Sequence, residues 1–203
     1  MTTRLLLVRH GETDFNAHHR FQGQMDIPLN ASGRCQASAL AKKLANETID
    51  VVVASDLRRA SETAEIVMAD RDIEIVEDGR LRELNFGAWE GMTYAEIQAS
   101  DPQALSTWEG DLMYIAPPGG ETVSQFSSRV RSVLRAIQAK YTGKTILIVA
   151  HGGVLQLLLC TLLGLSAERF WQFRLQNASL SEVTLHQAGA IIQSVNDTSF
   201  LGQ

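Results

Sequence analysis

Two short apolar runs each end in a histidine flanked by glycine. Arg9-His10-Gly11 follows the first run and His151-Gly152-Gly153 follows the last. Arg58 and Glu83 stand just past two further apolar segments. If these side chains meet, their combined chemistry is specific. A phosphate monoester carries a charge of about −1.5 to −2 near neutral pH and offers several acceptor oxygens. Arginine presents a planar fork of donors that matches those oxygens. Helices beginning after Gly11 and after Gly152 would add free backbone N–H groups and partial positive charge. Histidine adds a nucleophile, because neutral imidazole is available near pH 7. Covalent transfer of the phosphoryl group to it divides hydrolysis into two easier steps. The leaving alkoxide then needs a proton, a role suited to a partly buried carboxyl such as Glu83. His151, if protonated beside the phosphate, would stabilise charge on the transferring oxygens.

The elements that would bring these residues together are legible. Residues 5–8 (LLLV), 51–54 (VVVA) and 145–150 (TILIVA) are short apolar runs suited to strands covered on both faces, and 73–76 suits a shorter one. Helical spacing follows each: 32–44 with Ser32 as the expected cap, 60–67, 121–141, and a segment starting after His151-Gly152-Gly153. The tail predicts strands at 179–186 and 190–195 with a turn at 187–189. Strand–helix alternation implies right-handed crossovers, hence an α/β fold: a three-layer α/β/α sandwich around a mainly parallel sheet, with an antiparallel strand at its edge. Ligands in such sheets bind beyond the carboxyl ends of the strands. Arg9, His10, Arg58, Glu83 and His151 should therefore share one rim. Residues 80–120 interrupt the alternation, carry three of the four prolines, and predict a long excursion with short helices at 94–99 and 102–109. No repeat or linker is evident, so residues 1–203 are expected to form a single domain, with 80–120 covering the substrate.

Composition narrows the partners. A net charge of −5 over 203 residues argues against a nucleic-acid partner, which needs a basic face. Cys35 and Cys160 are the only cysteines, as expected of reduced thiols. The apolar start is too short for a signal peptide, and 154–165, broken by Gln156, is too short to span a membrane. A cytoplasmic protein, monomeric or homodimeric and without membrane contact, is the expectation. His10, His151 and Glu83 could suggest a two-His-one-carboxylate metal site. Two arginines in the same pocket would repel a dication, so neither a metal nor a cofactor is expected. Gly143-Lys144-Thr145 imitates the end of a P-loop but precedes a strand instead of following one.

Leu7-Val8-Arg9-His10-Gly11-Glu12-Thr13 resembles the signature of the histidine phosphatase superfamily, whose fold is phosphoglycerate-mutase-like. Ser55-Asp56-Leu57-Arg58-Arg59-Ala60 is similar to the family's second block, and Leu81-Arg82-Glu83-Leu84 with Phe86-Gly87-Ala88-Trp89-Glu90-Gly91 to its third. Pro118-Gly119-Gly120-Glu121-Thr122 and Val149-Ala150-His151-Gly152-Gly153 supply the fourth and fifth. Five blocks in order cover nearly the whole chain. The resemblance implies a phosphate pocket of Arg9, His10, Arg58 and His151, with His10 phosphorylated and Glu83 the proton donor; Arg59, beside Arg58 at the start of a helix, is expected in solvent. It also implies phosphate contacts from Asn16, Gln22, Gly23 and Gly152. Glu62 and Gln156 depart from the family's usual Gln and Arg. The implied activity is that of a phosphoric monoester hydrolase of the histidine acid phosphatase type, branch 1. The block around Trp89 is similar to that of α-ribazole phosphatases and broad-specificity phosphatases. A mutase shares this core, but residues 84–120 contain no Arg or Lys to retain a multiply charged intermediate, which favours hydrolysis. A catalytically silent binding module would not be expected to keep all five polar residues.

Overall fold

The computed structural model describes residues 2–202. Its framework is one six-stranded sheet in the order β3-β2-β4-β1-β5-β6. β1 (Thr3–Arg9), β2 (Val51–Ala54), β3 (Ile75–Glu77) and β4 (Thr145–Ala150) run parallel. β5 (Leu180–His186) runs antiparallel to β1, and β6 (Gly189–Asp197) pairs antiparallel with β5. The reversed strand thus lies one place in from the edge, because the two-residue turn at 187–188 folds β6 back onto its outer side.

Alternation along the central strands builds the layers, since successive strand side chains point to opposite faces. Leu5 and Leu7, with Ile146 and Ile148, pack against α6 (Val123–Lys140) and α7 (Gly152–Leu162). Leu6 and Val8, with Leu147 and Val149, pack against α2 (Ala31–Lys43) and α3 (Arg58–Met68). β1 and β4 are buried on both faces, which is why their sequences read as unbroken apolar runs. The α2 cap is Asn30, not Ser32. Its Oδ1 accepts from Gly33 N at 2.8 Å while its Nδ2 donates to Glu12. That second bond ties the start of α2 to the loop after β1, an advantage no local capping pattern reveals.

Three features around 14–25 and 80–120 frame the rim. α1 (Asp14–Ala17) is a single turn closed by a Thr13–Asn16 capping box. Ile97 of α4 (Tyr94–Ser100) and Leu105 of α5 (Pro102–Gly110) form a small apolar cluster with Trp89 from the turn before them. Phe21 and Phe86 meet edge to face at 4.8 Å, and Trp89 and Trp108 at 5.3 Å. Arg20 adds a backbone bridge to Thr93 and a forked ion pair with Glu96. The excursion is thereby fastened to residues 20–21, and its aromatic side chains Trp89 and Trp108 serve packing. Tyr114, by contrast, lies in solvent. Among the described residues, no helix is long and apolar enough to cross a membrane.

Candidate active site

The carboxyl ends of β1, β2 and β4 deliver His10, the Ser55–Arg59 turn and His151 to one place. His10 and His151 are both buried, with ring centroids 5.1 Å apart. His10 Nδ1 lies 2.7 Å from the carbonyl oxygen of Gly11. A carbonyl only accepts, so neutral His10 carries its proton on Nδ1 and leaves a lone pair on Nε2. Nε2 has no partner among the described residues, which is the arrangement a nucleophile needs. The opposite tautomer holds at His151. Arg59 Nε donates to its Nδ1 at 3.2 Å, so the ring proton sits on Nε2 and faces Ser55 Oγ at 2.9 Å.

Arg58 and Arg59 exchange their expected places. Arg58 opens α3 and points into solvent, whereas Arg59 is 0% exposed. The buried face of α3 is Arg59, Ala60, Thr63, Ala64 and Val67, a 3.6-residue stripe that residue 58 does not join. Beyond its bond to His151, Arg59 donates to Met25 O and Gly23 O, both at 2.7 Å. The segment from Gln22 to Met25 is thus held as a strap across the site. Gly23 has a φ of +52°, and a Cβ there would collide with the Glu90 carboxylate, so only glycine suits the strap's turn. Glu90 Oε1 completes the anchorage by accepting from Gln24 N and Phe86 N.

Arg9 reaches the same region from β1, donating to Leu175 O at 2.6 Å. Its Nε is buried without an acceptor among the described residues. A buried unpaired donor costs about 1–3 kcal/mol, which an anionic oxygen at that point would offset. The Glu83 carboxylate accepts from Gly153 N at 3.0 Å and Leu84 N at 2.9 Å, which seats it at the first turn of α7. His151 caps that helix with no side-chain hydrogen bond, leaving the Gly152 N–H available. Asn16 and Gln22 are oriented by their oxygens. Asn16 Oδ1 accepts from Thr13 N and from Asn177 Nδ2, and Gln22 Oε1 accepts from Thr13 Oγ1. Both amide NH2 groups are left as free donors among the described residues. Ser55 and Asn177 were not singled out from the sequence. Ser55 lay in a quoted motif, but no pattern marked Asn177, whose Nδ2 also donates to His10 O.

Burial sets the electrostatics. It lowers the Arg9 guanidinium, against the opposing pull of Glu83, and brings Arg59 down to about 10, so Arg59 stays charged at neutral pH. Burial first, then Arg59 and Arg9, hold His10 well below its usual value despite the Gly11 contact. His151 is depressed by burial, Arg59 and His10. Neutral imidazoles among fixed cations, with the free Asn16, Gln22 and Gly152 donors alongside, suit an incoming anion.

A model of the histidine phosphatase superfamily (branch 1) matches residues 5–198. The chain belongs to that superfamily. It is 30% identical to phosphoserine phosphatase 1 of Hydrogenobacter thermophilus, over 98% of this chain and 95% of that one. It is 36% identical to a protein of Serratia proteamaculans named probable phosphoglycerate mutase GpmB, over 98% and 94% of the two chains. The solved α-ribazole phosphatase of Shigella flexneri superposes with a TM-score of 0.90 at 35% identity, covering 96% of both chains. The fold expected from the sequence agrees with these relatives, and the expected hydrolase class agrees with the two that are named phosphatases.

Two measurements follow from the geometry. Replacing Arg59 by Ala or Lys should lower kcat/KM for a phosphate monoester by about 10²–10³, because a preorganised donor array is lost, while Arg58→Ala should stay within about twofold. Equal losses at the two positions would contradict the assignment. The second measurement is pH-dependent stability without anion. Below the unfolded histidine value of about 6.5, the unfolded chain binds more protons than the folded one, so stability rises with pH there and levels off above it. The melting temperature should therefore fall between about pH 7 and pH 5, above the range of ordinary carboxylates. A His10→Gln/His151→Gln variant should flatten that fall, and an unchanged slope would contradict burial of neutral rings.

Proposed function

We propose that the protein hydrolyses a small-molecule phosphate monoester through a phosphohistidine on His10, with no metal or cofactor. The observation that carries this reading is the His10 tautomer: Nδ1 is tied to Gly11 O, and Nε2 is free in the field of the buried Arg59 guanidinium and the half-buried Arg9. The phosphate oxygens would be received by Arg9, Arg59, the Asn16 and Gln22 amides, and the Gly23 and Gly152 N–H groups. The dianion offsets the cations that hold His151 neutral, favouring a proton on Nδ1, so that His151 becomes a donor to the transferring oxygens. His10 Nε2 attacks phosphorus, the bond to the leaving oxygen breaks, and Glu83, which enters this step as the carboxylic acid, gives that oxygen its proton. In the second step Glu83 takes a proton from water, the water oxygen attacks phosphorus, the N–P bond breaks, and inorganic phosphate leaves. Phosphoryl transfer needs chiefly alignment and charge stabilisation, which the two arginines supply.

The substrate is a small phosphorylated metabolite, and the Shigella relative makes α-ribazole 5′-phosphate the first to test. The GpmB-type relative keeps a mutase as the second reading. Hydrolysis is favoured because residues 84–120 hold no Arg or Lys. One chain supplies every group of the site, which supports a monomer or a homodimer. Both cysteines are unpaired thiols, which supports a cytoplasmic setting.

The test is phosphate release from α-ribazole 5′-phosphate, phosphoserine and 3-phosphoglycerate in EDTA, with phosphoglycerate interconversion followed in parallel. Turnover should survive chelation, interconversion should be absent, and Glu83→Gln should lower kcat by about 10²–10⁴, the usual worth of general acid–base catalysis. Activity that dies in EDTA and returns with zinc or magnesium would overturn the metal-free mechanism. Robust interconversion would promote the mutase.

A further inference from the structure

Ser55 is the first residue past β2. Its N–H donates to Val149 O at 2.9 Å, so the β2–β4 ladder runs one step further and brings Ser55 beside His151. Both residues are 0% exposed. Ser55 does not cap the helix that follows, since α3 has Leu57 at its N-cap and no side-chain hydrogen bond there. Its Oγ meets Leu57 N at 3.4 Å, near the limit for a hydrogen bond, and His151 Nε2 at 2.9 Å, an ordinary length. The hydroxyl is committed to the imidazole rather than to the turn.

The direction of that bond follows from the far side of the ring. Arginine has donors only, so Arg59 Nε at 3.2 Å makes Nδ1 the acceptor and leaves the ring proton on Nε2, with Ser55 Oγ to receive it. A ring held at both nitrogens is fixed in orientation. The groups whose field reaches it are Arg59 from α3, His10 and Arg9 from the end of β1, and Arg129 from α6, and all of them oppose a second proton. The Glu83 carboxylate sits two residues along the chain from the ring, on Gly153 N. An incoming dianion offsets the cations, and a doubly protonated ring then needs an acceptor for each of two N–H groups. Ser55 Oγ already serves one. Arg59 Nε cannot serve the other, because two donors would face each other, so the anion must.

We propose that Ser55 is a positioning residue: it retains the Nε2 proton of His151 in both states and so directs the second proton, drawn from solvent, onto Nδ1. The inference rests on the hydrolytic reading above and adds the group that selects which nitrogen of His151 becomes the donor to phosphate. One phosphate oxygen then accepts from both His151 Nδ1 and Arg59 Nε, which are bonded to each other before the anion arrives. Ser55 itself touches no reacting atom.

The test uses two pairs of side chains. Ser55→Ala removes the hydroxyl from the native residue, while Ser55→Thr and Ser55→Val share a branched shape and differ in the hydroxyl. With p-nitrophenyl phosphate, Ser55→Ala should lower kcat about 10- to 100-fold and change KM less than about threefold, the split expected when stabilisation of the transition state is lost. Ser55→Thr should exceed Ser55→Val in kcat by about tenfold. An Ala variant within about twofold of the wild type, a loss confined to KM, or Thr and Val variants of equal kcat would overturn the proposal. Nitrogen NMR of ¹⁵N-histidine-labelled protein reads the tautomer without turnover, with His151→Gln identifying the resonances of that ring. In the wild type, Nε2 should carry a proton before and after inorganic phosphate is added, and Nδ1 only after. In Ser55→Ala the single proton should distribute over both nitrogens. A wild-type ring protonated on Nδ1 without phosphate, or one whose Nδ1 stays bare with phosphate bound, would also overturn it. If the wild type hydrolyses no ester, the hydrolytic reading fails, and the spectra alone decide the role of Ser55.

Discussion

A guanidinium group with no exposure to water governs the arrangement of the site. Burying an unpaired charge costs many kilocalories per mole, so a buried Arg59 is tolerable only where its donors are matched. Two backbone carbonyls of the strap and one imidazole nitrogen do this, and the Glu83, Asp26 and Glu90 carboxylates supply compensating field. Each partner is positioned in turn by the need to meet Arg59. The strap must curve over it through a left-handed glycine, and His151 must turn Nδ1 toward it. The helix that bears it must bury the face carrying residue 59. Once those conditions are met, the remaining N–H bonds of the guanidinium and the charge they carry are fixed before any ligand arrives. Such preorganisation is what makes electrostatic stabilisation of a transferring phosphoryl group effective.

The loop that carries His10, the proposed nucleophile, depends on an equally close fit. The loop after β1 passes so near the first turn of α2 that a Cβ on Gly11 would lie 2.5 Å from Gly33 O, and one on Gly33 would lie 2.1 Å from Glu12 O. Thr63 Oγ1 accepts from Gly11 N at 3.1 Å and donates to Arg59 O at 2.6 Å, joining the His10 loop to the helix that carries the buried arginine. Asn177 clamps the other side through His10 O and Asn16. The imidazole at position 10 is thus oriented by its own backbone neighbour, and its loop by three separate elements.

Much of this was legible in the sequence, for physical reasons. Strands buried on both faces must be apolar throughout, so β1, β2 and β4 were plain, and the strand-end rule then gathered Arg9, His10, Glu83 and His151. The burial of Arg59 in place of the expected Arg58 is not legible locally, because a tandem pair at a helix start carries no sign of its own of which member faces inward. The sign was the helical stripe of Ala60, Thr63, Ala64 and Val67, which includes 59 and omits 58. Ser32 was mistaken for the α2 cap for a similar reason: Asn30 wins through a contact with Glu12 that is distant in sequence. Asn177 could not be found, because an amide in a loop before β5 becomes meaningful only when the sheet lays β5 beside β1.

The central claim is that His10 Nε2 accepts the phosphoryl group, and the most direct measurement is capture of the covalent enzyme. Acid sensitivity is the expected property of phosphorus bound to an imidazole nitrogen. Quenching the protein rapidly during turnover of a ³²P-labelled ester should trap label on the polypeptide that survives alkali, is lost in acid, and maps to His10. It should be absent from His10→Ala. Label that persists in His10→Ala, or turnover that continues without it, would contradict the account.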